Sequence, residues 1–336
     1  MEIGFDKEKL LNQIKGAKVK IKELIREDSL VFPIITDLHT QNANFDFSRV
    51  IADTLKAVTS EIKADALINL GDNLSMLGRY DKITNDNLKK IFVDLFNLIY
   101  ENINCPIIAV NGNHDAIGTD FFKADFWNSI IKGKYGNENA VYADEGSYYY
   151  IDYEKAKTRL IILSMPYDSD LEAENPTPLW GFGKKQLNWL KTIALNTEYD
   201  IIILNHAPFY YEYTGGETKL LEVFTGDRVA YSHYANLCGW IDDRDEAVEI
   251  LKNSRGRVVC CLSGHTHMDS LWKSGEEKGG YKNTLPCYQV VTGSACIPDW
   301  EASTFKIRID IAVWTPSLNE LNMIRIGEGE DRKISV

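Results

Sequence analysis

Short apolar runs that end in a polar motif recur along much of this chain. Val31-Phe32-Pro33-Ile34-Ile35, Ala66-Leu67-Ile68-Asn69-Leu70, Pro106-Ile107-Ile108-Ala109-Val110, Ile201-Ile202-Ile203-Leu204 and Val258-Val259-Cys260-Cys261-Leu262 are apolar at nearly every position, not at every second one. Runs of that kind predict strands buried on both faces. The stretches between them carry helical spacing. Phe47 to Lys63 and Asn87 to Glu101 predict crossover helices, Thr119 to Lys132 a further helix, and Gly183 to Asn196 a helix that feeds the Ile201 strand. Tyr148 to Ile151 and Leu160 to Leu163 predict two strands with a charged turn between them, and Lys7 to Glu27 predicts a charged amphipathic helix. Near the end, Phe305, Ile307, Ile309 and Ile311 alternate with polar residues, the pattern of a half-buried strand, and Leu321 to Ile326 predicts its partner in a second sheet. This alternation of strands and helices is that of an α/β protein.

The polar motifs behind the runs carry the chemistry. They are Asp37-Leu38-His39, Gly71-Asp72-Asn73, Gly112-Asn113-His114-Asp115, Asn205-His206 and Gly264-His265-Thr266-His267. Together they hold five of the six histidines. Imidazole is the commonest side-chain metal ligand and the usual proton donor near neutral pH. Residues i and i+2 of an extended backbone face the same way, so Asp37 with His39, and His265 with His267, would project together if each strand persisted one step further. Gly71, Gly112 and Gly264 would let the backbone turn sharply at the ligands. Open α/β sheets gather ligands at the carboxyl ends of their strands. Any one of these motifs could be an ordinary surface turn. Five of them behind five buried strands point to one shared site, and its mixed imidazole and carboxylate set, without cysteine, suits a pair of Fe, Mn, Zn or Co ions.

The order Asp-x-His, Gly-Asp, Gly-Asn-His-Asp, His, Gly-His-x-His, spanning residues 37 to 267, resembles the calcineurin-like metallophosphoesterase superfamily. The resemblance implies a four-layer α/β/β/α sandwich, two mixed sheets face to face with helices outside. It implies two divalent or trivalent metal ions, with Mn, Fe or Zn the expected elements. Asp37, His39 and His267 would bind one ion, Asn113, His206 and His265 the other, and Asp72 would bridge both. His114 would face the substrate and stabilise or protonate the leaving oxygen. The implied activity is hydrolysis of phosphomonoesters or phosphodiesters by a metal-bridging hydroxide, with no Ser or Cys nucleophile. Two ions roughly 3.5–4 Å apart can clamp the attacking and leaving oxygens of an in-line displacement. One departure stands out. Some family phosphatases carry a second Asp three residues after the bridging one to orient the acid histidine, and here that position is Ser75. The alternative of another class is a non-catalytic binding or scaffold protein that retains the fold; the presence of all seven expected ligands argues against it.

Composition adds bounds. A chain of 336 residues, 44% hydrophobic and 26% charged, supports one large α/β domain. Residues 1–28 read as the N-terminal helix and 29–336 as the phosphoesterase domain, with an insertion at about 209–240 and C-terminal strands completing the second sheet. The insertion holds Tyr210, Tyr211, Tyr213, Gly215, Gly216 and the sixth histidine, His233. Its start directly behind His206 suggests a lid or substrate wall, and its tyrosines suit a ring-bearing ester such as a nucleotide. His233 itself reads as structural or exposed. No run reaches the roughly 18 apolar residues of a membrane span, and no signal-peptide core opens the chain. The six cysteines form no Cys-x-x-Cys pair and read as buried thiols of a reducing compartment. A cytoplasmic location is expected. The net charge of −12 and the lack of a Lys/Arg cluster argue against a long nucleic-acid partner. The expected partner is a small phosphate ester, with no membrane. No feature of the sequence sets an oligomeric state.

Overall fold

In the computed structural model, which describes residues 6–40, 46–74, 85–112, 115, 124–143, 147–164, 181–210, 243–278, 281–299 and 304–336, the apolar runs become strands of two mixed sheets. The chain begins with α1 (Lys7–Leu24), β1 (Leu30–Ile35), α2 (Asp46–Thr59), β2 (Leu67–Asn69), α3 (Asn85–Tyr100), β3 (Ile107–Ala109) and α4 (Ala124–Ile131). It continues with β4 (Ala140–Tyr142), β5 (Tyr149–Tyr153), β6 (Thr158–Ile162), α5 (Gly183–Trp189), β7 (Asp200–Leu204), α6 (Arg244–Lys252) and β8 (Val258–Ser263). The last part holds β9 (Ser270–Trp272), β10 (Glu277–Lys278), β11 (Tyr281–Lys282), β12 (Tyr288–Val291), β13 (Cys296–Asp299), β14 (Thr304–Thr315), β15 (Glu320–Gly327) and β16 (Arg332–Ser335).

The first sheet runs β16-β15-β14-β1-β2-β3, with β13 also on β14, and the second runs β4-β5-β6-β7-β8-β12-β9. Within the first, β1, β2 and β3 are parallel and β14 is antiparallel to β1. Within the second, β6, β7, β8 and β12 are parallel. The uninterrupted hydrophobicity of β7 now has its reason. Ile202 and Leu204 join a core shared with β1 and β14 of the other sheet. Ile201 and Ile203 join a second core under Leu187, Leu190 and Leu251 of the outer helices. Each side chain from Ile201 to Leu204 is therefore buried, on alternating faces.

Three expectations change. The alternating C-terminal strand, β14, is not half exposed. Trp314 donates its indole N–H to Thr158 Oγ1 in the second sheet at 2.9 Å, and Asp310, four residues earlier on the same face, accepts from Thr292 Oγ1 at 3.1 Å. At these positions the polar face of β14 is thus turned toward the other sheet, and Asp310 is paired with Arg325 and Arg332 instead of solvated. Second, β14 and β15 extend the sheet of β1, since Leu30 to Ile34 offers an edge that pairs with Trp314 to Asp310. Third, the helix predicted over residues 183–196 is α-helical only to Trp189 and continues as a π-helical turn, Leu190–Ala194.

The N-terminal helix is part of the same core. Asp6 Oδ1 accepts the Lys9 N–H at 2.9 Å and caps it. Leu10, Ile14, Ala17 and Ile21 recur at i, i+4, i+7 and i+11 and are buried in the cluster that contains β1, β14 and β15. Lys18 and Lys22 both reach Glu61, just past α2. Ile21 has no exposed surface. Ile21→Ala should therefore cost about 2–5 kcal/mol, read as a lowered denaturation midpoint with an unchanged slope; a shift within error would show that α1 docks without contributing to the fold.

Candidate metal centre

The loops that follow β1 and β2 are zipped together just beyond the sheet. Asp37 N–H donates to Gly71 O at 2.8 Å, His39 N–H to Asp72 O at 3.0 Å, and Thr40 N–H to Asn73 O at 3.0 Å. The loops after β7 and β8 are joined by Gly264 N–H to His206 O at 2.9 Å. The two pairs of loops meet where His265 N–H donates to Asp37 Oδ2 at 2.9 Å. Strand ends from both sheets thus converge on one place.

The backbone there is not extended, contrary to expectation. Asp37 (φ 51°), His39 (φ 44°), Asp72 (φ 53°), His265 (φ 71°) and His267 (φ 61°) all lie in the left-handed region. Asp and His visit that region more readily than most residues, but each visit is still costly. Side chains at i and i+2 do share a site, through paired left-handed residues and not through a pleat. The glycines also play different parts. Gly71 has a positive φ of 100°. Gly112 and Gly264 have ordinary φ and serve close approach instead. A Cβ on Gly112 would sit 2.1 Å from Asp72 Oδ1, and one on Gly264 would sit 1.9 Å from Thr36 Oγ1 and 2.7 Å from Asp37 Oδ2.

Six of the expected donors form two triads. In one, Asp37, His39 and His267 offer ligand atoms all within 4.8 Å of one another; in the other, Asp72, His206 and His265 do the same. His39 Nε2 and His267 Nε2 face each other at 2.8 Å, and they lie 3.7 and 3.3 Å from Asp37 Oδ1. That oxygen is buried and accepts no hydrogen bond. His206 Nδ1 lies 2.7 Å from Leu70 O, which can only accept, so Nδ1 carries the proton. Nε2 of the same ring faces Asp72 Oδ2, 3.2 Å away, and His265 Nδ1, also at 3.2 Å. A ring nitrogen that close to a buried carboxylate calls for positive charge, either a proton on the ring or a cation between the two groups. Asp72 Oδ2 is also 3.9 Å from His39 Nε2, which places this carboxylate between the triads. The donors fit two small cations, held by imidazole and carboxylate without thiolate.

The protein's own groups tune these side chains strongly. Burial would raise Asp37, but His267 and His39 beside it hold its carboxyl well below the usual range. Burial would lower His206, yet Asp72 and then Asp37 push it up to about 9. His265 falls to about 3 because it is buried and next to His206. Burial opposes protonation of His39, but Asp37 and Asp72 outweigh it and raise the imidazole. Perturbed groups of this kind cluster at functional sites, and buried ion-pair networks produce them too.

Asn113 and His114, the remaining expected site residues, lie outside the described residues, as does Ser75. Their neighbour Asp115 is described and was not among the expected site residues. It is fully buried, accepting from Asn73 N–H at 2.9 Å, Asn73 Nδ2 at 3.1 Å and Gly112 N–H at 3.1 Å. It thereby ties the loop after β3 to the loop that carries Asp72. Burial and then the charge of Asp72 push its carboxyl up to about 7. Its only signal in the sequence is an acid directly behind a Gly-Asn-His. Phe209 and Tyr210, where the insertion was expected to start, are core residues. Phe209 packs on Phe182 with ring centroids 5.6 Å apart, and Tyr210 exchanges two backbone hydrogen bonds with the Gln289 amide. At the far end, Asp243 accepts the Phe182 and Gly183 amides, and the Arg244 guanidinium lies 4.9 Å from the Tyr210 ring centroid. Residues 211–242, with His233, lie outside the described residues.

The sequence profile described as calcineurin-like phosphoesterase matches residues 31–269. The chain belongs to the calcineurin-like phosphoesterase family. Among solved structures, a dimetal phosphatase from Danio rerio superposes with a TM-score of 0.57 at 14% identity, covering 91% of this chain and 98% of that one. The structure of PhoD superposes with a TM-score of 0.52 at 11% identity, covering 91% of this chain and 68% of that one. At these identities the likeness concerns the fold, two mixed sheets flanked by helices. No curated protein matches the chain in sequence. Membership of this phosphoesterase family, with two candidate ligand triads, supports metal-dependent phosphoester hydrolysis in general terms. Among the described residues, no helix is long and apolar enough to cross a membrane.

Close approach at Gly112 gives a direct test of the geometry. Gly112→Ala keeps an allowed backbone but drives a methyl into Asp72. It should cost roughly 1–3 kcal/mol from overpacking and lower the metal content of the purified protein, measured by elemental analysis beside thermal unfolding. Wild-type metal content at wild-type stability would show that the two loops are not held this tightly.

Proposed function

We propose that this phosphoesterase-family chain is a hydrolase that cleaves small phosphate esters with two metal ions. One observation carries the reading: six donors from four strand ends gather as two adjacent triads with Asp72 between them. In this reading Asp37, His39 and His267 hold one ion, and His206, His265 and Asn113 hold the other. Asp72 lends one carboxylate to both. Ions bound there would polarise the phosphoryl oxygens and acidify water near neutral pH. Manganese, iron and zinc suit the donor set.

The chain's own residues do the positioning. Leu70 O fixes the His206 tautomer so that Nε2 faces Asp72. The Thr36 hydroxyl and the His265 amide both donate to Asp37 Oδ2, at 2.7 and 2.9 Å, leaving Oδ1 to the centre. Such outer partners are what hold ligands in a productive orientation. His114 is assigned to the leaving oxygen. The substrate is assigned as a phosphate mono- or diester of small size, a nucleotide being the favoured example because tyrosines follow His206 closely in sequence.

Asp72→Ala should remove most of the bound metal and nearly all turnover of a panel of chromogenic mono- and diesters supplied with Mn²⁺. Two ions and full turnover in that variant would sink the assignment, while metal bound by the wild type with no turnover of any ester would favour a binding protein. For His114→Ala, metal content should stay near wild type. Its rate should fall more for esters with poor leaving groups than for those with acidic phenols, which depart without a proton. Equal losses along a leaving-group series would restrict His114 to positioning.

A further inference from the structure

His267 differs from the other imidazoles of the centre in what fixes it. Its side chain is 43% exposed, against 17% for His39 and 1% for His206. The ring lies against His39 with centroids 4.7 Å apart but is otherwise partly open to solvent, so its position depends on the backbone that carries it, which is left-handed at φ 61°. The carbonyl of His267 accepts Arg308 Nη1 at 2.9 Å. Arg308 lies directly on Gly293, where a Cβ would come within 2.8 Å of Nη1 and 3.2 Å of His267 O. Two residues further along, Asp269 Oδ1 accepts Gly293 N–H at 3.0 Å and Arg325 Nη2 at 2.5 Å.

Arg325 is itself immobilised. It donates Nε and Nη2 to Asp310, both at 3.0 Å, and Nη1 to Glu328 O at 2.8 Å. Arg332 reaches the same Asp310 at 2.5 Å and Val291 O at 2.6 Å. Both members of the Arg325–Asp310 pair are at most 1% exposed. Cross-strand register brings this cluster together, since Asp310 lies opposite Arg325 and Met323 lies opposite Arg332. Buried ion pairs seldom stabilise more than apolar residues of the same volume would. A plain core would serve β14, β15 and β16 as well. What an apolar core would not supply is a set of fixed donors aimed at one carbonyl and one carboxylate of the loop after β8. The other triad has an anchor that this cluster does not touch, Leu70 O on His206 Nδ1.

We propose that Arg308, backed by the Asp269–Arg325 pair, positions His267 and thereby sets the affinity of the Asp37–His39–His267 triad for its ion, separately from the other triad. The proposal rests on the two-metal reading above and assigns a role to residues outside its ligand set. Arg308 is a positioning residue: it acts through His267.

The test uses the full-length protein, stripped with chelator and titrated calorimetrically with Mn²⁺ alone. Wild type should take two ions; fewer than two would overturn the two-metal reading itself, not this inference. In Arg308→Met, one ion should bind as in wild type and the other about 10- to 100-fold more weakly, the usual loss when an outer partner of a ligand is removed. Arg308→Lys, which keeps one donor, should recover part of that loss. Turnover in Arg308→Met should climb back toward the wild-type value as Mn²⁺ is raised. Asp269→Asn, which preserves volume, should show the same selective weakening and serves as the reading if Arg308→Met does not fold. Two ions bound with wild-type affinity in both variants would overturn the proposal, as would equal weakening of both ions.

Discussion

Two carboxylates at almost zero exposure, Asp37 and Asp72, lie within 3.9 Å of one imidazole nitrogen, and much of the molecule is arranged around keeping them charged. Taking one carboxylate out of water costs several kcal/mol even after relaxation. Two in one pocket also repel each other. The protein answers with the imidazoles of His39, His206 and His267, one backbone amide and one hydroxyl aimed at the pair. Imidazoles alone are a poor answer, because cationic rings crowded together repel as well; the depression of His265 beside His206 is the sign of that conflict. Divalent ions would relieve both problems at once, giving each carboxylate a cation and each neutral ring a partner for its lone pair. The donor chemistry, more than the fold, is what makes a metal-binding reading compelling.

The backbone is bent to the same end. Of the seven non-glycine residues in the left-handed region among the described residues, five are expected ligands, and each such residue costs of order 1–3 kcal/mol. Such a concentration of strain survives only where neighbours over-determine it. Here the cross-loop hydrogen bonds from Asp37, His39 and Thr40 to the β2 loop, and from Gly264 to His206, do so. The missing Cβ atoms at Gly112 and Gly264 are the other half of the arrangement, since the loops could not pack this closely around side chains. Strain, close packing and charge compensation are therefore one constraint seen three ways.

Which of this was legible in the sequence follows from what is local. Fully apolar runs such as Ile201 to Leu204 report burial on both faces wherever they stand, so the parallel strands and the motifs behind them could be read directly. The sign of φ at Asp37 or His267 could not, because nothing in Asp-Leu-His distinguishes an extended step from a left-handed one; the neighbouring loop decides it. Short strands outside such apolar runs were equally silent. β9 has three residues, and β12 spends one of its four on Gln289, whose amide ties down Tyr210. Periodicity needs more residues than that. The arginines at 308, 325 and 332 looked scattered, and only the pairing of β14 with β15 and β16 gathers them.

The same pairing explains why the C-terminal strands matter to a site whose ligands all precede them. The two sheets meet at their strand ends, and something must hold them in register there. On the β3 side, the Ser164 hydroxyl, just past β6, donates to Asn111 Oδ1, just past β3, at 3.0 Å, and the Ser164 backbone exchanges hydrogen bonds with Gln186. On the β14 side, Asp310 and Arg325 of the first sheet grip Thr292 and Asp269 of the second. One strut uses neutral amides and hydroxyls, the other buried charge. Charge-assisted bonds are roughly twice as strong as neutral ones and far more directional in a dry environment. The charged strut stands beside His267, whose side chain is 43% exposed. The neutral one stands beside the loop of Gly112, where Asp115 already ties three groups of the neighbouring loops together. Rigidity is thus supplied where the local packing leaves it lacking, which is the arrangement expected if the spacing between the two triads is what the fold is built to preserve.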